Sequence, residues 1–414
     1  MKSDLDQLMK QNNIDAIFVT GSAMYNPTMV YLTGGGHVSD ALLFKKKGET
    51  PLMFVNMMER DEAAKSGFNI RLTNEFPMKE LLAETGNDWE KVGGLQLTKA
   101  FKAAGVESGR VAIYGEREIG GFFNNLEAVR KNLPNLEFVG YAFDPIFNIA
   151  MMTKDEAEIE RMKKIGAATS QVVSRVWNLI SDSNARDGKL YLDDGQPLTI
   201  GYVKRKIDLW LAEQGASNPH SVIFAQGRDA GIPHSSGDDE ATLELGKTIV
   251  FDIYPCETGG GYFHDMTRTW SPGYATEETQ RLYDEVKLTY DTLISKLSLN
   301  MPFKDVQALT CELFEEMGHA TIRQDPAIQE GYIHSIGHGV GLKVHERPTS
   351  GMAATETDIL APYSVFTIEP GLYYPSKGMG ARIEDSYVTK PDGSFEKLGN
   401  FHYDFVIPVK GYNK

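Results

Sequence analysis

Apolar residues recur with two different periods along this chain. In the first 150 residues, short helical and strand patterns alternate. Leu5, Leu8 and Met9 share one face of a short helix, and Ala16 to Thr20 is a compact apolar strand. Asp40 to Phe44 and Pro51 to Val55 read as paired strands around a Lys47-Gly48-Glu49 turn, with the run Lys45-Lys46-Lys47 leading into Gly48. Arg110 to Tyr114 is a further strand, Phe122 to Asn132 a helix and Leu136 to Val139 a strand. The pattern predicts an α/β domain over residues 1–150 with no visible chemistry of its own.

A second domain, residues 151–414, opens with a capping signal at Thr153-Lys154-Asp155-Glu156, where Thr153 accepts from the third amide on and Glu156 reaches back. Behind it, Ile159, Met162, Ile165, Thr169, Val172, Val176 and Leu179 or Ile180 recur at helical spacing and predict one long helix. Ser181 to Pro197 is polar and reads as a surface loop. Beyond Lys247 the period drops to two. Thr248 to Tyr254, Val365 to Glu369 and Ala381 to Asp385 read as strands, with Val365, Thr367 and Glu369 on one face and Phe366 and Ile368 on the other.

Composition narrows the class. A chain of 414 residues, 41% hydrophobic and 24% charged, has the balance of a soluble globular protein and is long enough for two domains. No apolar run of about 18 residues is present, and Met1 to Gln7 lacks a secretory core, so a cytoplasmic protein is expected. Cys256 and Cys311 read as two reduced thiols. A net charge of −15 repels nucleic acid and anionic membrane, so neither is an expected partner.

Carboxylates interrupt the apolar strands. Burying one is costly unless it is paired or bound to a cation, yet Asp252, Glu369 and Glu384 occupy such positions, and Asp265 stands in Phe263-His264-Asp265-Met266-Thr267. The segment His334-Ser335-Ile336-Gly337-His338 through His345-Glu346 adds imidazoles, and glycines around His338 permit close approach of the backbone. A single strand carboxylate is more often an ion-pair partner than a ligand. Four carboxylates with one or two imidazoles suit a pair of divalent transition ions.

The order Asp252, Asp265, His338, Glu369, Glu384 resembles that of the pita-bread metallopeptidases, which include methionine aminopeptidase, Xaa-Pro aminopeptidase, prolidase and the metal-free creatinase. The resemblance covers nearly the whole chain. It implies a creatinase-like α/β amino-terminal domain and an α+β pita-bread catalytic domain, the two-domain arrangement of the Xaa-Pro aminopeptidase and prolidase branch. The implied reaction is hydrolysis of the bond between an amino-terminal residue and proline, in a dipeptide or a longer peptide, with a slight lean to the aminopeptidase.

Carried over by resemblance, Asp252 binds one of two divalent ions, manganese first with cobalt or zinc as alternatives. Asp265 and Glu384 bridge both ions, and His338 and Glu369 complete the other. Water held between the ions is the implied nucleophile, because a metal lowers its pKa towards about 7. Glu369 is then the general base. His334 lies near the scissile group, His345 stabilises the oxyanion, His234 lines the proline side, and Arg382 and Tyr373 support the site. A homodimer is also implied.

Departures from the family pattern fall around the loop between Asp252 and Asp265. It looks long, carries Gly259-Gly260-Gly261, has Tyr254-Pro255 after the first ligand, and presents His264, which reads as an exposed loop histidine. Gly246-Lys247-Thr248 lacks the earlier glycine of a phosphate loop, and no Gly-x-Ser-x-Gly is present. Two other readings remain beside the peptidase: the same fold acting as a hydrolase or lyase on a small amino-acid-like molecule, and a non-catalytic binding scaffold.

Overall fold

The computed structural model describes residues 4–412, so Met1 to Ser3 of the amino-terminal stretch lie outside the described residues. The chain divides into two compact units. The first runs to Met151 and takes in Gly259–Gly261; the second is Met152–Thr258 with the chain from Tyr262 onward.

In the first unit, β1 (Ala16–Gly21), β2 (Ala41–Lys46), β3 (Leu52–Val55), β4 (Asn69–Leu72), β5 (Gly109–Gly115) and β6 (Leu136–Val139) form a mixed sheet in the order β4-β3-β2-β1-β5-β6. Phe18, Phe44 and Phe101 fill its core, with ring centroids 4.9 to 5.0 Å apart. Phe101 comes from a helix, Trp89–Ala103, that the Gly93-Gly94 pair hides in the sequence. A Cβ on Gly94 would meet Ala128 Cβ at 2.4 Å, so the glycine permits close packing on the helix Ile119–Asn132. The lysine run does more than turn the chain. Lys45 lies inside β2, with its buried ammonium 2.5 Å from Asp6.

The second unit contains β7 (Asn184–Arg186), β8 (Lys189–Tyr191), β9 (Ala216–Ser217), β10 (Ile223–Gln226), β11 (Ile249–Ile253), β12 (Cys256–Glu257) and β13 (Met266–Pro272). These are followed by β14 (His338–Gly339), β15 (Glu346–Thr349), β16 (Val365–Ile368), β17 (Gly371–Tyr374), β18 (Met379–Arg382), β19 (Glu384–Thr389), β20 (Phe395–Lys397) and β21 (Val406–Ile407). The main path of its sheet is β10-β11-β13-β19-β16-β14-β15. Ile249, Phe251 and Ile253 join Val172, Val176 and Trp270 in one core. Phe366 and Ile368 join Phe303 and Leu282 in another. Alternation then turns Asp252 away from the first core and Thr367 away from the second.

Three expectations need correction. The long helix is Glu156–Ser181, and its cap is Asp155, not Thr153: Asp155 accepts from Glu158 N at 2.9 Å while Glu158 accepts from Asp155 N at 2.7 Å. Thr153 is held extended by a bridge to Ser364, which delays the helix by two residues. Within 181–197, β7 and β8 form a hairpin across Asp187-Gly188, anchored by fully buried Leu190, so this segment is not an irregular loop. Ala381 to Asp385 is two strands broken at Ile383: β18 pairs with β17, whereas β19 enters the large sheet. Among the described residues, no helix is long and apolar enough to cross a membrane.

Candidate metal centre

Asp265, His338 and Glu384 each offer a ligand atom, and those atoms lie within 4.8 Å of one another. Asp265 stands one residue before β13, His338 in β14 and Glu384 at the start of β19. Glu369 follows β16 and brings Oε1 to 3.5 Å from His338 Nε2, while Asp265 Oδ2 is 3.7 Å from the same nitrogen. Asp252, in β11, lies beside Asp265, and burial first, then the Asp252 charge, raises the pKa of that carboxyl. The glycines beside His338 let the sheet close. A Cβ on Gly337 would meet Thr367 O at 2.1 Å, and one on Gly339 would meet Arg347 O at 2.1 Å, so only glycine lets the short strand fit between its neighbours.

The orientation of His338 is fixed by hydrogen bonding. Its Nδ1 is 3.1 Å from Gly339 O, and a carbonyl only accepts, so Nδ1 carries the proton. The Nε2 lone pair therefore faces two carboxylates. Three lone-pair groups repel one another unless a cation lies among them. Consistently, Asp252 Oδ1, Asp265 Oδ1 and Glu384 Oε1 are buried without a hydrogen-bond partner. Burial first, then neighbouring carboxylates, pushes the Asp265 and Glu384 carboxyls far up; burial chiefly takes Glu369 up to about 8. Burial also pulls His338 and His334 down to about 3, leaving both rings neutral. An oxygen-rich, desolvated donor set with one imidazole turned inward by a carbonyl fits a divalent metal.

A cationic support stands at one side. Arg382 Nη2 donates to Asp252 Oδ2 at 2.6 Å, Nη1 to Tyr373 OH at 2.8 Å and Nε to Thr267 Oγ1 at 3.1 Å. Tyr373 OH is in turn 2.8 Å from His334 Nε2. His334 Nδ1 donates to Ser335 O at 2.7 Å, so the tyrosine hydroxyl donates to Nε2 and accepts from Arg382. His345 is exposed, with its ring centroid 4.3 Å from that of His338 and the two planes nearly perpendicular. His234 is exposed too, and lies close enough to disfavour charge on His334 and His345.

Several residues escaped the sequence reading. Thr267 donates to Glu384 Oε2 at 2.8 Å, and its position two after Asp265, on the same strand face, was the available signal. Arg268 bonds the carbonyls of Thr267 and Glu384 and Asp385 Oδ1, each at 2.9 Å, which ties β13 to β19. Tyr254 stands near Asp252, and burial plus that charge pushes its hydroxyl up to about 12. His264 is not an exposed loop histidine. Its amide bonds Pro255 O at 3.0 Å, folding the loop back, and the ring is fully buried between Gly166 and Gly399.

Comparison with known proteins agrees with this geometry. The model of metallopeptidase family M24 matches residues 160–391, and that of the creatinase/prolidase N-terminal domain matches residues 2–141. The chain is 30% identical to the probable dipeptidase PepE of Mycobacterium tuberculosis over 258 residues, 62% of this chain and 61% of that protein, so it spans about three fifths of that relative. It is 25% identical to the Xaa-Pro dipeptidase of Pyrococcus horikoshii over 393 residues, 94% of this chain and 93% of that one. The crystal structure of the prolidase from Pyrococcus horikoshii superposes with a TM-score of 0.72 at 22% identity, covering 97% of this chain and 98% of that one. That likeness gives the fold: a creatinase-type amino-terminal domain followed by a pita-bread domain.

Proposed function

The chain belongs to metallopeptidase family M24, and from that premise we propose that it hydrolyses the peptide bond between an amino-terminal residue and proline. Relatives named as dipeptidases make the Xaa-Pro dipeptide the favoured substrate, in preference to the longer peptides of an aminopeptidase. The observation that carries the reading is the inward-facing Nε2 of His338 among Asp265, Glu369 and Glu384.

Two divalent ions, manganese in the first instance and cobalt or zinc as alternatives, would be held by Asp252, Asp265, His338, Glu369 and Glu384. When bound, they supply Lewis-acid polarisation of the scissile carbonyl and acidify water. Glu369 serves as general base: its carboxylate takes a proton from water and passes it to the leaving proline nitrogen. His345, exposed beside His338, donates to the developing oxyanion. Arg382 pairs with Asp252 and anchors Tyr373, which holds His334 in one tautomer near the scissile group. His234 contacts the proline side.

We read the division near residue 150 as the boundary between an amino-terminal domain and the catalytic domain, and the protein as a cytoplasmic homodimer. The test uses chelator-treated full-length protein and a panel of Xaa-Pro dipeptides and Xaa-Pro-Xaa tripeptides, with and without Mn²⁺ or Co²⁺. Metal-dependent release of proline from dipeptides is expected. Failure to cleave any member with either ion would overturn the assignment.

A further inference from the structure

The loop that carries His345 closes around a buried carboxylate. Glu346 Oε1 accepts from Leu342 N at 2.7 Å and from Lys343 N at 3.1 Å. Its other oxygen is 2.9 Å from Lys154 Nζ, and the two side chains are only 4% and 2% exposed. A Cβ on Gly341 would meet Glu346 Oε2 at 2.3 Å, so the backbone wraps onto the carboxylate with no spare room. Lys154 is itself pinned: its amide donates to Tyr363 O at 2.9 Å, and Thr153 bridges Ser364, immediately before the strand that leads to Glu369. The loop touches the site from the other side as well. Phe263 N, two residues before Asp265, donates to Gly341 O at 2.7 Å, and the Val344 backbone bonds the His338 ring.

Resting on the peptidase reading, we propose that Lys154 and Glu346 are positioning residues, their buried ion pair setting the imidazole of His345 for the reaction. An exposed ring on a glycine-bearing loop is poorly placed to meet a developing charge unless its backbone is fixed beforehand. Glu346 fixes it by engaging two successive amides, and the ammonium keeps the carboxylate in place. With both oxygens committed in a desolvated pocket, the carboxylate cannot swing out without stranding a charge. The stiffness thus lies beneath the loop, while the His345 ring stays open to substrate.

The experiment compares full-length, Mn²⁺-loaded wild type with Lys154→Met, Lys154→Arg and Glu346→Gln, each also combined with His345→Ala. Lys154→Met is expected to lower kcat by about 10²-fold with KM little changed, as displacement of a reacting group by about 1 Å does, and Lys154→Arg to recover most of it. In the His345→Ala background, the further loss from Lys154→Met should shrink to a few-fold, since the two act as one unit. A full, additive loss there would overturn the proposal. Hydrogen exchange at the Leu342 and Lys343 amides is read in parallel and should quicken in Lys154→Met; unchanged exchange would also overturn it. Glu346→Gln retains an acceptor for those amides, so it supplies the same comparison should Lys154→Met fail to fold. A wild type inert towards every Xaa-Pro peptide refutes the peptidase reading, whereas the exchange rates still decide for or against the clamp.

Discussion

Replacing Arg382 with leucine removes the guanidinium bonded to Asp252, Tyr373 and Thr267 in a pocket where the arginine is 2% exposed. Breaking a buried pair by deleting one partner costs about 3–5 kcal/mol, because the remaining charge is stranded. For a cooperative unit of this size, each kcal/mol is worth about 2 °C, so metal-free Arg382→Leu should melt about 6–10 °C below metal-free wild type. A divalent cation changes the comparison. It neutralises Asp252 in place of the arginine, and it no longer meets a repelling positive charge beside the site. The rise in melting temperature on adding Mn²⁺ should therefore be larger in the variant than in wild type. Arg382→Lys, which keeps the charge but loses the fork, should fall between the two. Calorimetry of chelator-treated protein with and without Mn²⁺ measures both quantities. A metal-free melting temperature equal to that of wild type, or a smaller metal-induced rise, would refute the reasoning.

Glu369→Gln removes the proposed base and should lower kcat on a dipeptide by about 10²–10⁴-fold; steady-state kinetics showing nearly full activity would exclude that role. The same carboxyl predicts a pH effect in the metal-free protein. Its folded pKa, about 8, lies above the ordinary value of 4.5, so its stabilising contribution is complete below pH 4.5 and is lost as pH rises through 8. Between pH 6.5 and 8.5, metal-free wild type should lose thermal stability faster than metal-free Glu369→Gln, and parallel slopes in a pH series would contradict this. Gly337→Ala drives a methyl into the Thr367 carbonyl, which a Cβ would meet at 2.1 Å. It should weaken metal retention as well as stability, and an elemental analysis matching wild type would argue against the close strand contact.

The residues legible in sequence are those whose chemistry conflicts with their surroundings. A carboxylate in an apolar strand stands out at Asp252, Glu369 and Glu384 because period-two alternation reveals its neighbours. The long helix was legible for the same reason, as its buried face repeats from Ile159 to Ile180. Long-range partners were not. Thr267 is an unremarkable strand threonine until β19 lies beside it. His264 looks exposed because nothing local announces Gly166 and Gly399, more than 90 residues away on each side, whose missing side chains make its pocket. The cap shifted from Thr153 to Asp155 because a bridge to Ser364, distant in sequence, outweighs a local preference.

The proposed metal donors are dispersed through the chain. Asp252, Asp265, His338, Glu369 and Glu384 lie in or beside five separate strands, β11, β13, β14, β16 and β19, joined only when the sheet of the second unit is complete. Asp252 and Asp265 meet early, on neighbouring strands close in sequence, but His338, Glu369 and Glu384 join them over long sequence separations that form late. Metal held by all five would then certify a finished sheet, and a chain cut anywhere between residues 252 and 384 that springs apart should surrender any such ion together with its shape.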